Sequence, residues 1–195
     1  MSERSAKIER KTGETSISGS LSLDGSGAAD VETGLGFLDH MLTALAKHAR
    51  MDLTLRCEGD LDVDDHHTAE DCGLAIGEAL NEALGDRRGI VRFGGAYAPL
   101  DESLARAVVD LSGRPFARVE LFLRREMVGE VASEMLPHVV ASLAIAARMT
   151  LHLDVLRGEN DHHQAEAGFK ALALALREAI ARDGSNTVPS TKGVL

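Results

Sequence analysis

The sequence predicts an α+β fold made of two internally duplicated β-β-α-β-α halves, with helices packed on one face of mainly antiparallel or mixed sheets. Three observations predict it. Residues 40–55 lie over residues 138–153 without a gap, sharing a leading histidine, the Ala-Arg-Met runs at Ala49-Arg50-Met51 and Ala147-Arg148-Met149, and most apolar positions between. The run Asp65-His66-His67-Thr68-Ala69-Glu70 recurs as Asp161-His162-His163-Gln164-Ala165-Glu166. Within each half the apolar period switches between that of a strand and that of a helix.

Taken in order, alternation at Ile17, Gly19, Leu21 and Leu23, closed by Asp24-Gly25, predicts a strand over 15–23. A strand over 28–33, a helix over 37–47 and a strand over 52–57 follow. The half ends in a helix over 67–84, whose Leu74, Ile76, Leu80 and Leu84 give it a core-facing side. The second half repeats this with strands over 104–111, 116–123 and 150–156 and helices over 131–147 and 162–182, the last with Leu172, Leu174, Leu176 and Ile180 facing the core. Residues 14–25 also overlay residues 102–113. The halves span about 10–85 and 100–183 of one domain covering 1–195. Between them, Arg87-Arg88 reads as a turn and Arg92-Phe93-Gly94-Gly95 as a short strand, and residues 184–195, with Gly184, Pro189 and Gly193, read as a flexible tail.

With 195 residues, 44% of them apolar, the chain can bury a core. A formal charge of -10 and the lack of a basic stripe argue against a nucleic-acid partner. Residues 1–11 are polar, and no later stretch is apolar enough to span a bilayer, so a cytoplasmic protein without a membrane partner is expected. Cys57 and Cys72 lack metal-knuckle spacing and read as reduced thiols, so any metal site rests on histidine and carboxylate.

On a helix, His66 and Glu70 are four residues apart and His67 and Glu70 three apart, so imidazole and carboxylate share a face as a chelating pair. Adjacent histidines diverge by about 100°, so one ion does not easily take both, and each copy is built to serve two ions. Surface histidines capping a helix would account for one such run but not for its repetition. His40 and His138 hold equivalent places upstream. Eight candidate ligands result: His40, His66, His67, Glu70, His138, His162, His163 and Glu166. Pseudo-symmetry groups His40, His66, Glu70 and one of His162/His163 in one site, and His138, Glu166, His67 and the other histidine in a second. Such donors suit zinc, iron, nickel or manganese and leave positions open for substrate. His48 faces Ala146 in the overlay, and His152 reads as a structural strand residue. Anion-binding candidates are scattered: Arg92, Arg114, Lys170, and Ser190-Thr191-Lys192 in the tail, with no glycine-rich phosphate loop. The residues alone define a di-metal enzyme without naming its substrate.

Several runs closely resemble the imidazoleglycerol-phosphate dehydratase family: Thr33-Gly-Leu-Gly-Phe-Leu-Asp-His40-Met-Leu, Asp64-Asp-His-His-Thr-Ala-Glu70-Asp, Arg92-Phe-Gly with Ala98-Pro-Leu-Asp-Glu102, Asp110-Leu-Ser-Gly-Arg-Pro115, and Gly158-Glu-Asn-Asp-His-His-Gln-Ala-Glu166-Ala-Gly-Phe-Lys170. The resemblance runs from about Arg10 to Lys192. It implies a hydro-lyase of histidine biosynthesis that converts imidazole glycerol phosphate to imidazole acetol phosphate, with two Mn2+ per active site stabilising an imidazolate-type intermediate. It further implies a homo-oligomer of 24 subunits with active sites at subunit interfaces, and a stand-alone dehydratase rather than a longer dehydratase-phosphatase fusion. Carried over by position, Glu14, His48 and Glu166 are the catalytic candidates. Glu14, His48, Arg92, Arg114, Lys170, Ser190 and Lys192 bind substrate and its phosphate, and the tail closes on that phosphate. One departure is Ala44, where the family usually carries a polar residue. The competing readings are a di-metal hydrolase of phosphate esters and a metal-stabilised, non-catalytic assembly protein.

Overall fold

Each half folds around a four-stranded sheet, one strand more than its hydrophobic pattern marks. The computed structural model describes residues 4–193 and 195. The first half comprises β1 (Ser5–Lys11), β2 (Thr15–Ser22), β3 (Ala29–Glu32), α1 (Gly36–Ala49), β4 (Asp52–Gly59) and α2 (His66–Leu84). Its sheet has the order β1-β2-β4-β3, antiparallel except for the parallel β3–β4 pair. The second comprises β5 (Phe93–Leu100), β6 (Ser103–Asp110), β7 (Phe116–Glu120), a small hairpin of β8 (Met127–Val128) and β9 (Val131–Ala132), α3 (Met135–Ala146), β10 (Thr150–Arg157) and α4 (Asp161–Ala179). The order β5-β6-β10-β7, with β7–β10 parallel, repeats the first sheet.

The α+β class and the duplication stand, while several boundaries move. β1 was hidden in the polar start of the chain because only Ala6 and Ile8 turn inward among charged neighbours. β5 is a full strand with its pattern inverted: small Gly94 and Ala98 face the core, and the large Phe93 and Tyr97 face out. The strand expected over 116–123 stops at Glu120, before Phe122 takes a left-handed φ of 55°. The helix expected over 131–147 begins only at Met135, because the β8–β9 hairpin occupies the residues before it.

The layers run sheet, helix pair, helix pair, sheet. α1 and α2 cover the inner face of the first sheet, α3 and α4 that of the second, and the helix pairs meet crosswise, α2 on α3 and α1 on α4. Ile17, Leu21, Leu53 and Leu55 from one sheet and Ala105, Val109, Leu151 and Leu153 from the other fill the core beneath them. The α2–α3 contact depends on glycine: a Cβ on Gly73 would lie 2.6 Å from the Val139 carbonyl oxygen, and one on Gly77 2.4 Å from that of Leu143. The repeated Ala-Arg-Met run is a helix-ending turn. Arg50 (φ 57°) and Arg148 (φ 52°) both adopt the left-handed conformation, and the N–H groups of Met51 and Met149 reach back to Ala46 and Ala144 at 3.1 Å.

The two outer sheet faces differ. The first presents Ser18, Ser20 and Thr54. The second presents Phe93, Tyr97 and Phe116, each more than half exposed, beside Val108, with the His152 ring 5.4 Å from that of Phe116. The tail runs along residues 88–92, where Arg92 donates to the Pro189 carbonyl (2.7 Å) and Gly89 N–H to that of Thr187 (3.0 Å). Among the described residues, no helix is long and apolar enough to cross a membrane.

Candidate metal centres

Both histidine pairs open a helix because an acceptor lies just ahead of them. Asp64 Oδ1 accepts from His66 N–H at 2.8 Å, and Asn160 Oδ1 accepts from His162 and His163 N–H at 2.9 and 3.3 Å. Starting the helix there puts His66 and Glu70, or His162 and Glu166, on one face.

Two clusters form, and they cross between the halves. His40 Nε2 lies 3.0 Å and His162 Nε2 3.2 Å from Glu166 Oε2. His138 Nε2 lies 3.0 Å from Glu70 Oε1, and His66 Nε2 3.6 Å from Glu70 Oε2. The grouping expected from the sequence is corrected here: His40 joins Glu166 rather than Glu70, and His138 joins Glu70 rather than Glu166. The cause is the crosswise packing, which carries α1 to α4 and α2 to α3. In each cluster two imidazole nitrogens and a carboxylate oxygen lie within 4.8 Å of one another. Borderline nitrogen donors with one hard oxygen and no sulfur fit a first-row divalent ion and leave coordination positions free.

His67 and His163 turn away from these clusters. Their rings stand at 82° to His66 and 87° to His162. His67 Nδ1 lies 3.0 Å from Asp60, and His163 Nδ1 2.8 Å from Glu102, so each ring is oriented by a carboxylate at Nδ1 and its Nε2 takes no part in either cluster. A carboxylate behind an imidazole is a common support for a metal-binding histidine. Glu14, in the β1–β2 turn, lies 3.7 Å from His67 Nε2, and Asp101 takes the corresponding place 3.9 Å from His163 Nε2. Sequence reasoning assigned no role to Asp60 or Glu102, although Glu102 aligns with Glu14 in the overlay. It also missed Phe37, whose ring sits edge-on to His162 (5.1 Å) and His40 (6.3 Å).

Charge separates the clusters. Lys170 Nζ lies 2.6 Å from Glu166 Oε1. Burial opposes ionisation of Glu166, but the Lys170 and His40 hydrogen bonds outweigh it and hold the carboxyl at about 2. Close by, His48 is pushed below its ordinary value by burial and by Lys170. Glu102 is held well below the usual carboxylate range by the backbone N–H of Asn160 and by His163, whereas Asp60 raises His67.

The anion candidates do not converge within one chain. Arg92 grips Asp110 through two bonds of 2.7 and 3.1 Å, Arg114 lies 3.8 Å from the same carboxylate, and the tail with Ser190 and Lys192 reaches this group through Pro189. Lys170 belongs to the cluster end of α4. Arg92 N–H bonds the carbonyl of Ala179, nine residues further on and roughly 13 Å along the helix axis. Ala44, at the position where a polar residue was expected, is buried in α1.

The fold and its paired clusters define a class first: a duplicated α+β chain carrying two imidazole–carboxylate centres suited to divalent metal. A model of the imidazoleglycerol-phosphate dehydratase family matches residues 33–176. The chain belongs to the imidazoleglycerol-phosphate dehydratase family, which makes it a hydro-lyase of histidine biosynthesis. It is 58% identical to the imidazoleglycerol-phosphate dehydratase of Phaffia rhodozyma over 98% of this chain and 96% of that protein, and 52% identical to that of Saccharomyces cerevisiae over the full length of both. The relative from Phytophthora nicotianae is 62% identical over 98% of this chain, which spans only 42% of that longer protein. Among solved structures, the enzyme of Staphylococcus aureus N315 superposes with a TM-score of 0.83 at 39% identity, covering 91% of this chain and 99% of that one. That of Pyrococcus furiosus, in complex with (S)-C348, gives 0.82 at 38% identity, covering 97% and 100%.

Proposed function

We propose that the chain is a manganese-dependent dehydratase that removes water from imidazole glycerol phosphate to give imidazole acetol phosphate, working as a cytoplasmic homo-oligomer, 24 subunits in the family pattern, with active sites between subunits. The carrying observation is the orientation of His67 and His163. Each is held by a carboxylate at Nδ1, and its Nε2 takes no part in its own chain's three-ligand clusters. A neighbouring copy that inserts one of these histidines next to His40, His162 and Glu166, or next to His66, Glu70 and His138, raises each centre to four protein ligands. The apolar outer face of the second sheet supports assembly, because large exposed aromatic patches on soluble chains are covered by partners. So does the roughly 13 Å axial separation of Lys170 from the Arg92 group, since cations from two chains can meet on one phosphate.

Two manganese ions, when bound, supply electrostatic stabilisation of the negative charge that develops on the substrate's imidazole ring. The protein's residues supply the rest. Glu14, His48 and Glu166 are the candidates to take the carbon-bound proton and to protonate the departing hydroxyl, and the resulting enol tautomerises to the ketone. The lowered affinity of His48 for protons keeps its ring neutral and able to accept one. Arg92, Arg114, Lys170, Ser190 and Lys192 hold the phosphate, and residues 184–195 close over it as the end of a single domain with halves of about 10–85 and 100–183. Complementation tests the shared site: His40→Ala and His67→Ala variants, each inactive alone, regain turnover when mixed and reassembled with Mn2+, measured as acetol product without free phosphate. No recovery from any such pair sinks the shared site, and stoichiometric phosphate release sinks the lyase.

A further inference from the structure

The two halves differ most in one connection. Between β3 and α1 the chain spends three residues, 33–35, whereas between β7 and α3 it spends fourteen, 121–134, including the β8–β9 hairpin. This strap is anchored in the core by Leu121, Val128 and Val131, each at most 2% exposed. Its base is closed by Ser133, whose N–H donates to the Glu126 carbonyl at 2.9 Å and whose hydroxyl donates to that of Arg125.

From this base the strap reaches the starts of three helices. Ala132 N–H donates to Asp65 Oδ2 at 2.6 Å, just ahead of His66. Arg124 and Arg125 N–H donate to Asp161 Oδ2 at 3.1 and 2.6 Å, just ahead of His162. At the hairpin tip, Glu130 accepts from Gly36 N–H, the first residue of α1, and Gly129 abuts Phe37, whose ring packs on His40 and His162. Asp65 and Asp161 are the same residue in the two copies of the repeated motif, and both are occupied by backbone donors of a segment that only one half possesses. Asp161 is 3% exposed, so its acceptor oxygen is committed to that use.

We infer that residues 121–134 are a positioning strap that couples the two metal centres, with Asp65 and Asp161 as positioning residues that aim the histidine pairs behind them. The inference rests on the metal reading above but makes a separate claim, that loosening the strap at one anchor loosens both centres. Ala132→Pro is the sharpest probe. Ala132 sits at a non-bonded hairpin position, so proline removes the N–H that Asp65 accepts without breaking a β8–β9 hydrogen bond, and leaves every acidic side chain in place. Hydrogen exchange on the metal-free protein then speeds up at 66–70 and at 162–166 together. Calorimetric titration with Mn2+ shows both equivalents weakened by roughly tenfold or more. Asp65→Ala and Asp161→Ala act likewise, while Asp65→Asn and Asp161→Asn, which retain an acceptor oxygen, return affinity to within a few-fold of wild type. Weakening confined to one equivalent, or exchange unchanged in the 162–166 turn, overturns the coupling. Joint acceleration of exchange in a protein that binds no Mn2+ upholds the strap and refutes the metal reading instead.

Discussion

The two candidate metal centres share a donor set and little else. At His66, Glu70 and His138 the positions matching Lys170, His48 and Phe37 are Leu74, Ala146 and Met135, all without charge. At His40, His162 and Glu166 those three positions hold a lysine on the carboxylate, an imidazole held below its ordinary pKa and an aromatic ring against two of the clustered histidines. Duplication thus preserved what holds an ion, which needs only a helical spacing. Lys170, His48 and Phe37, by contrast, have no charged or aromatic counterpart at the other copy. The centres are alike as chelators and unlike as chemistry.

The largest effects come from removing a clustered histidine. His66→Ala or His162→Ala removes bound manganese and weakens assembly together, and elemental analysis showing full occupancy in either variant defeats the shared-ligand reading. Next come substitutions that copy one centre onto the other. Lys170→Leu and His48→Ala each lower turnover on the order of a hundredfold with metal content retained, whereas Leu74→Lys leaves it within a few-fold. Equal effects from Lys170→Leu and Leu74→Lys erase the asymmetry.

A smaller effect is pH-dependent. Glu166 titrates at about 2 in the fold against 4.5 unfolded, so its contribution is present above 4.5 and is lost as pH falls toward 2. In metal-free protein the stability gap between wild type and Glu166→Gln therefore narrows by at most about 3 kcal/mol between pH 5 and pH 2, measured by denaturant titration. Gly77→Ala, which forces a methyl toward the Leu143 carbonyl, costs about 2 kcal/mol. It disturbs manganese binding at the His66–Glu70–His138 centre before the other, because α2–α3 packing delivers His138 to Glu70.

The pairing of His66 with Glu70, and of His162 with Glu166, was legible because helical spacing is local and the motif repeats. Which carboxylate His40 and His138 join was not, because that is decided by helices crossing between halves through contacts such as Gly77 on Leu143. β5 was legible only as a short strand at 92–95 because its large residues face outward, reversing the usual pattern. The strap escaped because its working groups are backbone N–H donors, which every residue but proline carries. Glu102 was visible as the partner of Glu14 in the overlay, and only the folded position of His163 gives it a task.

The aromatic face of the second sheet has a thermodynamic consequence. Phe93, Tyr97 and Phe116 are each more than half exposed on the lone chain, so a partner covering them binds the folded state alone and draws the folding equilibrium toward it by mass action. If that partner is another copy, the melting temperature rises with protein concentration, and dilution alone lowers it without any change of buffer. The polar first sheet, with Ser18, Ser20 and Thr54 outward, adds no such term, so charge substitutions at Phe93 or Phe116 flatten the concentration dependence while equivalent changes at Ser18 or Thr54 leave its slope intact.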